Sequence, residues 1–555
     1  MMFLIRGLLV TAVMSAVGCS SEVGKNQSQV ISPMPDLQTI INTADQTSQP
    51  VMESKVVGRQ KAPTLYAANA LVMEPSTSFP LTNTEKYISY QDNPVRSVSK
   101  DPISTFSIDV DTAAYSNIRR MLDREGRIPP SDAVRIEELI NYFSYDYAAP
   151  ESPDIPFSIT TEVAPTPWNA HSYLVKIGLK GYAPKVEERP NANLVFLIDV
   201  SGSMQSPDKL PLLTRSLGLL VKRMTDQDRI ALVVYAGAAG LTLDSTSAKE
   251  KHKILRAINA LEAGGSTNGG AGIQLAYDIA SQNYIESGIN RVIVASDGDM
   301  NVGLTDHDGL IEMIKRKRKS GIALTTLGFG AGNYNYALME QLADSGNGNA
   351  AYIDSITEAQ KVLVNEMNAT LLTIAKDVKL QIEFNPQQVS EYRLIGYENR
   401  LLKQEDFKND NVDAGDIGAG HTVTAFYEIT PANSEHTLLA ESRYGNETEV
   451  KSLHASELAF IRLRFKQPDG DVSQEITRPI LRRDMKNTLS SATPDFRFGS
   501  AVAGVGQLLK GGKYTGTWSI KEALAIARGA RGDDPHGYRS GFINLAELAD
   551  TIGLP

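Results

Sequence analysis

The sequence predicts a multidomain α/β protein with a doubly wound parallel sheet at its centre. The chain has 555 residues, too many for one hydrophobic core, so three or four folded units are expected. Between residues 191 and 375, short apolar runs alternate with stretches of helical periodicity, as in a sheet covered by helices on both faces. Period-two alternation over 376–484 indicates an antiparallel sheet or β-sandwich, and 485–555 has helical periodicity.

The first residues have the pattern of an export signal. Arg6 precedes an apolar stretch, Gly7 to Val17, that is shorter than the ~20 residues a membrane-spanning helix needs. The stretch ends at Ala16-Val17-Gly18-Cys19, which resembles the lipobox, although Leu is commoner at the first of these positions. Cys19 is the only cysteine in the chain. The resemblance implies that residues 1–19 are a signal peptide and that Cys19 is lipidated.

The residue after the cysteine bears on localisation. Ser20 stands where an aspartate would signal retention in the inner membrane. The resemblance therefore implies an anchor in the outer membrane of the cell envelope, facing the periplasm. A simple cleaved signal with an incidental cysteine is the alternative.

Two segments precede the central domain. Residues 20–98 are rich in Ser, Thr, Gln, Asn and Pro, and we expect a flexible tether that reaches ~50 Å. Residues 99–190 combine two helical patterns, DVDTAAYSNIRRML and AVRIEELINYF, with the alternating runs FSITTEV and YLVKIGLKG. This segment is expected to form a small α+β module.

The central segment, 191–375, contains four apolar runs: LVFLIDV, RIALVVY, RVIVASD and ALTTLGFG. In an open parallel sheet, ligands bind in the crevice at the carboxyl ends of such strands. Asp199, Ser201 and Ser203 follow the first strand, and Asp297 follows the third. Thr267 lies in a glycine-rich loop between two helical stretches. Two carboxylates and three hydroxyls are hard oxygen donors, which suit Mg²⁺.

These five residues resemble a known metal site. The pattern DVSGS, then a loop threonine, then SDG is similar to the metal-ion-dependent adhesion site of von Willebrand factor type A (vWA) domains, which have a Rossmann-like fold. The resemblance implies that Asp199, Ser201, Ser203, Thr267 and Asp297 hold Mg²⁺, with Mn²⁺ or Ca²⁺ as alternatives. It also implies that an Asp or Glu of a protein partner completes the coordination, and that movement of the last helix, at 357–375, tunes affinity.

The flanking segments extend the resemblance. DVDTAAYSNIRRML, DAGDIGAGHTVTAFYEI and FGSAVAGVGQLLKG resemble bacterial vWA lipoproteins often labelled calcium-activated chloride channel homologues. After the signal no stretch approaches 18 uninterrupted apolar residues, so membrane contact is expected through the lipid anchor alone. None of the seven histidines forms HExxH, the metalloprotease signature associated with the animal proteins of that label, so the resemblance is to the family and the channel label is not expected to describe this chain. The metal is expected to act as an electrostatic bridge, without enzymatic activity.

Other binding functions fit the sequence less well. The net charge of −10 argues against a nucleic-acid partner. GFGAGN at 328–333 lacks the GxGxxG spacing, so a turn at a strand end is preferred to a nucleotide site. DVSGSM is not the GxSxG of a serine hydrolase. Asp410, Asp413 and Asp416 could hold Ca²⁺, but their spacing is not that of an EF-hand, and a solvated loop is preferred.

The sequence thus predicts a cell-envelope lipoprotein that binds a divalent metal and, through it, an acidic residue of a protein partner. A structural scaffold or assembly factor that uses the metal only for stability is the alternative. A chaperone-like component that presents substrates to a separate ATPase also stays open, although an exported location keeps ATP away.

Overall fold

The computed structural model describes residues 84–108, 111–185, 189–236, 238–265, 269–298, 307–440 and 454–554. The described residues form one compact unit. The predicted signal peptide, Cys19, residues 20–83 of the predicted tether, and Thr267 lie outside the described residues.

The elements follow one another in three groups. The first is β1 (Arg96–Ser97), β2 (Ile103–Ser107), α1 (Ala113–Arg119), α2 (Ile136–Asn141), β3 (Phe157–Pro165) and β4 (Tyr173–Gly181). The second is β5 (Ala192–Asp199), α3 (Leu210–Arg223), β6 (Arg229–Tyr235), β7 (Ala239–Ser247), α4 (Lys251–Asn259), α5 (Gly269–Gln282), β8 (Ile289–Ser296), α6 (His307–Arg318), β9 (Ala323–Phe329), α7 (Tyr336–Ser345), β10 (Ala350–Ile353), α8 (Ile356–Gln360) and α9 (Met367–Leu371). The third is β11 (Thr373–Phe384), β12 (Val389–Ile395), β13 (Gly415–Gly418), β14 (Thr422–Pro431), β15 (Glu457–Lys466), β16 (Ser473–Leu481), α10 (Pro494–Leu509), α11 (Ile520–Gly529) and α12 (Tyr538–Ile552).

The central sheet has the order β10-β9-β8-β5-β6-β7 and is parallel except for β7. Alternate residues of β5 serve two cores. Phe196 packs with the apolar residues of α3 and α4, whereas Leu197 packs with those of α5 and α6. Helices therefore cover both faces, and the predicted doubly wound α/β fold is confirmed. The β6–β7 hairpin was not predicted, because a helix was expected after each apolar run.

Two antiparallel sheets form a sandwich beside the central sheet. One has the order β1-β12-β14-β4-β3, and in the other β11 pairs with β13, β15 and β2, with β16 beyond β15. Their facing side chains share one core, in which the rings of Phe384 and Tyr392 stack at 4.4 Å. The predicted boundaries at 190 and 376 therefore do not separate folded units. Strands β2, β3 and β4, from the predicted N-terminal module, complete the sheets of the predicted sandwich region.

The remaining helices pack into a third layer. Helices α1, α2, α10, α11 and α12 share a core with Tyr336 of α7 and Tyr352 of β10, at the edge of the central sheet. Within it, the rings of Tyr115 and Tyr142 stack at 3.7 Å. The helical C-terminal region predicted over 485–555 is confirmed by α10, α11 and α12, and these helices join the N-terminal helices. Within the described residues, no helix is long and apolar enough to span a bilayer.

Two further predictions are corrected. The tether predicted to run to residue 98 ends earlier, because β1 pairs with β12 and the buried Asn93 amide donates to the carbonyl of Gly396 at 2.7 Å. The single helix predicted over 357–375 is broken: α8 passes into a π-helical turn over Lys361–Asn365, α9 ends at Leu371, and β11 begins at Thr373. The β-branched pair Thr373-Ile374 favours a strand at this point.

Candidate metal centre

The predicted site residues lie where two neighbouring strands end. Strands β5 and β8 pair in parallel register, with Ile198 opposite Ala295. Asp199 is the last residue of β5, and Asp297 directly follows β8. Both side chains therefore project from the same edge of the sheet, the metal edge, as the sequence predicts for carboxyl ends of parallel strands.

Asp199 is fully buried and held by hydrogen bonds. One carboxylate oxygen, Oδ1, accepts from the backbone N–H of Ser201 at 2.9 Å. The other, Oδ2, accepts from the hydroxyls of Ser296 at 3.0 Å and Tyr235 at 3.2 Å. Burial raises the pKa of Asp199, and the charge of Asp297 adds to this rise, while the bonds from Ser201 and Ser296 oppose it. Within the described residues Asp199 forms no salt bridge, so neutral donors alone hold its charge.

The two serines follow on the loop after β5. Ser201 is buried, whereas Ser203 is exposed, and their hydroxyl oxygens lie 3.0 Å apart. Residues Gly202–Gln205 form a short 3-10 turn, which returns the Ser203 side chain toward the metal edge. The two hydroxyls thus stand together between the buried carboxylates and solvent.

Asp297 is also fully buried but is paired with a cation. Its Oδ2 accepts from the ammonium of Lys209 at 2.9 Å and from the amide of Asn333 at 3.0 Å. Burial opposes ionisation of this carboxyl, but the charge of Lys209 and hydrogen bonds from Asn333, Lys209 and Ser203 outweigh it, so the pKa of Asp297 lies below its usual value. The pKa of Asp199 is therefore raised, whereas that of Asp297 is lowered.

Thr267, the fifth predicted ligand, lies outside the described residues. The described backbone just before Thr267 is bonded to the loop after β5 that carries Ser201 and Ser203, the serine loop. Gly264 N–H donates to the carbonyl of Val200 at 2.7 Å, and Gly202 N–H donates to that of Gly265 at 3.1 Å. The structure thus brings together four of the five predicted residues: Asp199, Ser201, Ser203 and Asp297.

Four further residues complete the arrangement: Tyr235, Ser296, Lys209 and Asn333. Ser296 and Lys209 stand close in sequence to predicted ligands, in the runs ASDGD and DVSGSMQSPDK. The position of Asn333 could be inferred only from strand order, because β9 pairs with β8 and its following loop reaches the same edge. That loop is GFGAGN, whose prediction as a turn is confirmed by the positive φ of Gly330 and Gly332.

The residues present suit a divalent cation. Asp199 and Asp297 provide buried carboxylates, and Ser201 and Ser203 provide neutral oxygens beside them, which is the donor chemistry that Mg²⁺ prefers. A buried carboxylate held only by neutral donors, as Asp199 is, gains most from a cation. Within the described ranges, no group of three or more His, Cys, Asp or Glu side chains is arranged for metal binding.

The aspartates considered for Ca²⁺ have other roles. Asp410 forms a salt bridge with Arg464 at 3.0 Å, and Asp413 forms one with Arg318 at 2.6 Å. Asp416 accepts a hydrogen bond from the backbone N–H of Asp377 at 3.3 Å. The loop is therefore bound to its neighbours by side-chain contacts, and its preferred interpretation as a simply solvated loop is incomplete.

Comparisons with known families match three parts of the chain. "Uncharacterized protein YfbK, C-terminal" matches residues 369–552, "von Willebrand factor type A domain" matches 193–366, and "von Willebrand factor" matches 81–176. The uncharacterized protein YfbK of Escherichia coli (strain K12) is 47% identical over 500 residues, which cover 89% of this chain and 85% of that protein.

More distant similarities cover smaller parts of this chain. Inter-alpha-trypsin inhibitor heavy chain H1 of Mesocricetus auratus is 24% identical over 282 residues, covering 49% of this chain and 30% of that protein. Among solved structures, a von Willebrand factor type A protein from Catenulispora acidiphila is similar with a TM-score of 0.40 and 14% identity, covering 74% of this chain and 98% of that one. By its identity to the Escherichia coli protein over nearly the whole of both chains, this chain belongs to the YfbK family of von Willebrand factor type A domain proteins.

Proposed function

We propose that the metal edge binds a divalent cation, Mg²⁺ first among the candidates, and that the bound cation recruits an acidic side chain of a protein partner. Asp199, Ser201, Ser203, Thr267 and Asp297 are the proposed ligands. The observation that carries the proposal is Asp199: a fully buried carboxylate with a raised pKa, held by neutral donors, next to a pair of hydroxyls.

The exposure of the serine loop supports the second half of the proposal. Ser203 is exposed, while both carboxylates are fully buried. A cation between them would keep one face toward solvent on the side of Ser203. A carboxylate from another protein is a hard, charged oxygen ligand and would replace water on that face. In this proposal the protein supplies binding and orientation only, and no chemical reaction is assigned to it.

The proposed location is the cell envelope, with the chain anchored through a lipid on Cys19. The lipobox-like sequence at 16–19 supports this part of the proposal. Cys19→Ser should move the protein from the membrane fraction to the soluble fraction. The same distribution for parent and variant would contradict the lipid anchor and would leave the metal site untouched.

The metal is tested by calorimetric titration of Mg²⁺ and Mn²⁺ into the full chain. Asp199→Asn and Asp297→Asn keep side-chain volume and remove one charge each, so each should weaken binding by roughly a hundredfold or more, about 3 kcal/mol. Asp208→Asn is the matched control, because this aspartate lies on the same loop and accepts from Ser206. Equal binding by the parent and both site variants would refute the metal site.

The partner is tested with the same variants. Immobilised parent protein in Mg²⁺ should retain an envelope protein that is released by a chelator and is not retained by Asp199→Asn. A scaffold that uses its metal only for stability would bind Mg²⁺ and unfold at a lower temperature in chelator, yet its retained proteins would not depend on the metal. The two candidate functions therefore differ in a direct measurement.

A further inference from the structure

Lys209 places a positive charge inside the proposed metal centre. This residue is buried, and its ammonium lies 2.9 Å from Oδ2 of Asp297 and 3.0 Å from Oδ1 of Asn333. Asn333 also donates to the same carboxylate oxygen through its amide nitrogen. Lys209, Asp297 and Asn333 thus form a closed triangle of contacts in which the lysine neutralises a proposed metal ligand.

The lysine is held in this position by close packing. Its aliphatic chain lies over Gly330, where a Cβ would come within 2.2 Å of Cε. Gly330 also has φ of +76°, a conformation that side chains rarely adopt. The backbone at the start of the β9–α7 loop is therefore shaped to let the lysine pass. Such a fit indicates a position built for this side chain, in contrast to a surface lysine that finds a carboxylate by chance.

We propose that Lys209 is an internal competitor of the metal, whose ammonium holds Asp297 in the metal-free protein and must leave that oxygen when the cation binds. This inference rests on the proposed function, because it assigns a role toward the same site. The amide oxygen of Asn333 already accepts a hydrogen bond from the ammonium, and this bond can remain after the ammonium has left Asp297. Lys209 therefore sets how tightly the site holds its metal.

The physical basis is a conflict between two cations. An ammonium and a divalent ion on one carboxylate repel each other strongly in a buried site, where screening is weak. Asp297 carries a single negative charge, so its contact with one cation weakens its contact with the other. The free energy needed to move the ammonium away from Asp297 makes the net free energy of metal binding less favourable. The contrast with Asp199 follows, because that carboxylate has no such competitor among the described residues.

The test compares Lys209→Met with Lys222→Met by calorimetric titration of Mg²⁺ and of Mn²⁺ into the full chain. Each change removes one positive charge at an end of α3: Lys209 directly precedes the helix, whereas Lys222 is exposed and lies in its last turn. Lys209→Met should bind both metals about ten times more tightly than the parent, and Lys222→Met should match the parent. Unchanged or weaker binding by Lys209→Met would overturn the inference.

Two additions keep the outcome decisive. Lys209→Gln is a second neutral variant, to be used if the methionine variant does not fold. Crystals of the parent with Mn²⁺ provide an independent readout, since an ammonium still within 3 Å of Asp297 beside bound metal would also overturn the inference. Failure of the proposed function looks different: parent, Asp199→Asn and Lys209→Met would then all show no metal binding.

Discussion

Glu138 is a buried carboxyl in the contact between the central sheet and the third layer, which consists of α1, α2, α10, α11 and α12 and is called the helical layer below. It lies on α2 and is fully buried, where Oε2 accepts from the backbone N–H of Ala114 at 2.8 Å and Oε1 accepts from the hydroxyl of Tyr336 on α7. Burial, reinforced by the charges of Glu340 and Glu137, raises its pKa to about 8. The folded protein therefore keeps this carboxyl protonated near neutral pH.

The pH dependence follows from the direction of that shift. The unfolded chain releases the proton near the ordinary glutamate pKa of 4.5, whereas the folded chain holds it to about pH 8. The stabilising contribution of the protonated carboxyl is therefore complete below about pH 4.5 and is lost as the pH rises through 8. Between pH 6 and pH 9 the loss amounts to about 3 kcal/mol, at about 1.4 kcal/mol per pH unit over the range in which the folded state alone is protonated.

Glu138→Gln imitates the protonated form, because its amide can donate to Tyr336 and its oxygen can accept from Ala114. We expect the variant to match the parent at pH 5 and to exceed it at pH 9 by about 4 kcal/mol, because the parent loses about 1.4 kcal/mol per pH unit between pH 5 and pH 8. This difference corresponds to a rise of roughly 4 to 8 °C in unfolding temperature. Thermal unfolding of the full chain, followed by intrinsic fluorescence from pH 5 to pH 9, measures both curves.

The control for a general charge effect is Glu262→Gln, at an exposed glutamate in the segment between α4 and α5. Its unfolding temperature should follow that of the parent at every pH. Parallel curves for the parent and Glu138→Gln, offset or coincident, would refute the reasoning, because they would mean that this carboxyl takes up no proton on folding. Lower stability of the variant at pH 9 would refute it as well.

Other buried contacts give predictions of similar sharpness. Arg119→Met should lower the free energy of unfolding by roughly 3 kcal/mol, as measured by calorimetry. The guanidinium of Arg119 now lies 2.5 Å from the buried carboxylate of Asp354 and 2.7 Å from that of Glu358, and the variant leaves both without it. Unchanged stability would contradict this role. Gly348→Ala should destabilise the chain by at least about 2 kcal/mol, since its Cβ would lie 1.8 Å from a carbonyl oxygen of β9. Gly470→Ala, whose nearest neighbour would be at 3.5 Å, should resist proteolysis as the parent does, and equal protection of both variants would refute the steric argument.

The sequence was most informative where local pattern and burial coincide. Strands β5, β6, β8 and β9 are continuous apolar runs because helices cover both of their faces, and this alone places Asp199 and Asp297 at one edge. The strands of the sandwich were visible for a related reason, since one face of each is apolar. What such patterns leave open is which strands pair.

Pairing between distant segments accounts for most of what was missed. Strand β4 pairs with β14, more than 240 residues further along the chain, with Val175 opposite Tyr427. The sequence of neither segment indicates that the two strands pair. Asn333 was missed for the same reason, as its contact with Asp297 depends on the neighbouring positions of β8 and β9. Lys209 carried a weak local signal, because it follows the serine loop directly, but a lysine at the start of a helix has many possible partners.

The connections of the β9–α7 loop make the metal edge part of the whole compact unit. The loop that carries Asn333 is bonded along its other side to the chain at residues 84–86: Thr84 N–H donates to the carbonyl of Gly332, Lys86 N–H donates to that of Tyr334, and Gly332 N–H donates to Glu85. Glu85 is itself held by Arg120 of the helical layer at 2.7 Å. Any displacement of Asn333 therefore meets resistance from contacts outside the central sheet and its helices. In the proposed function, the loop bearing Asn333 would therefore form a fixed side of the metal site, and the exposed Ser203 would mark the side that a partner approaches.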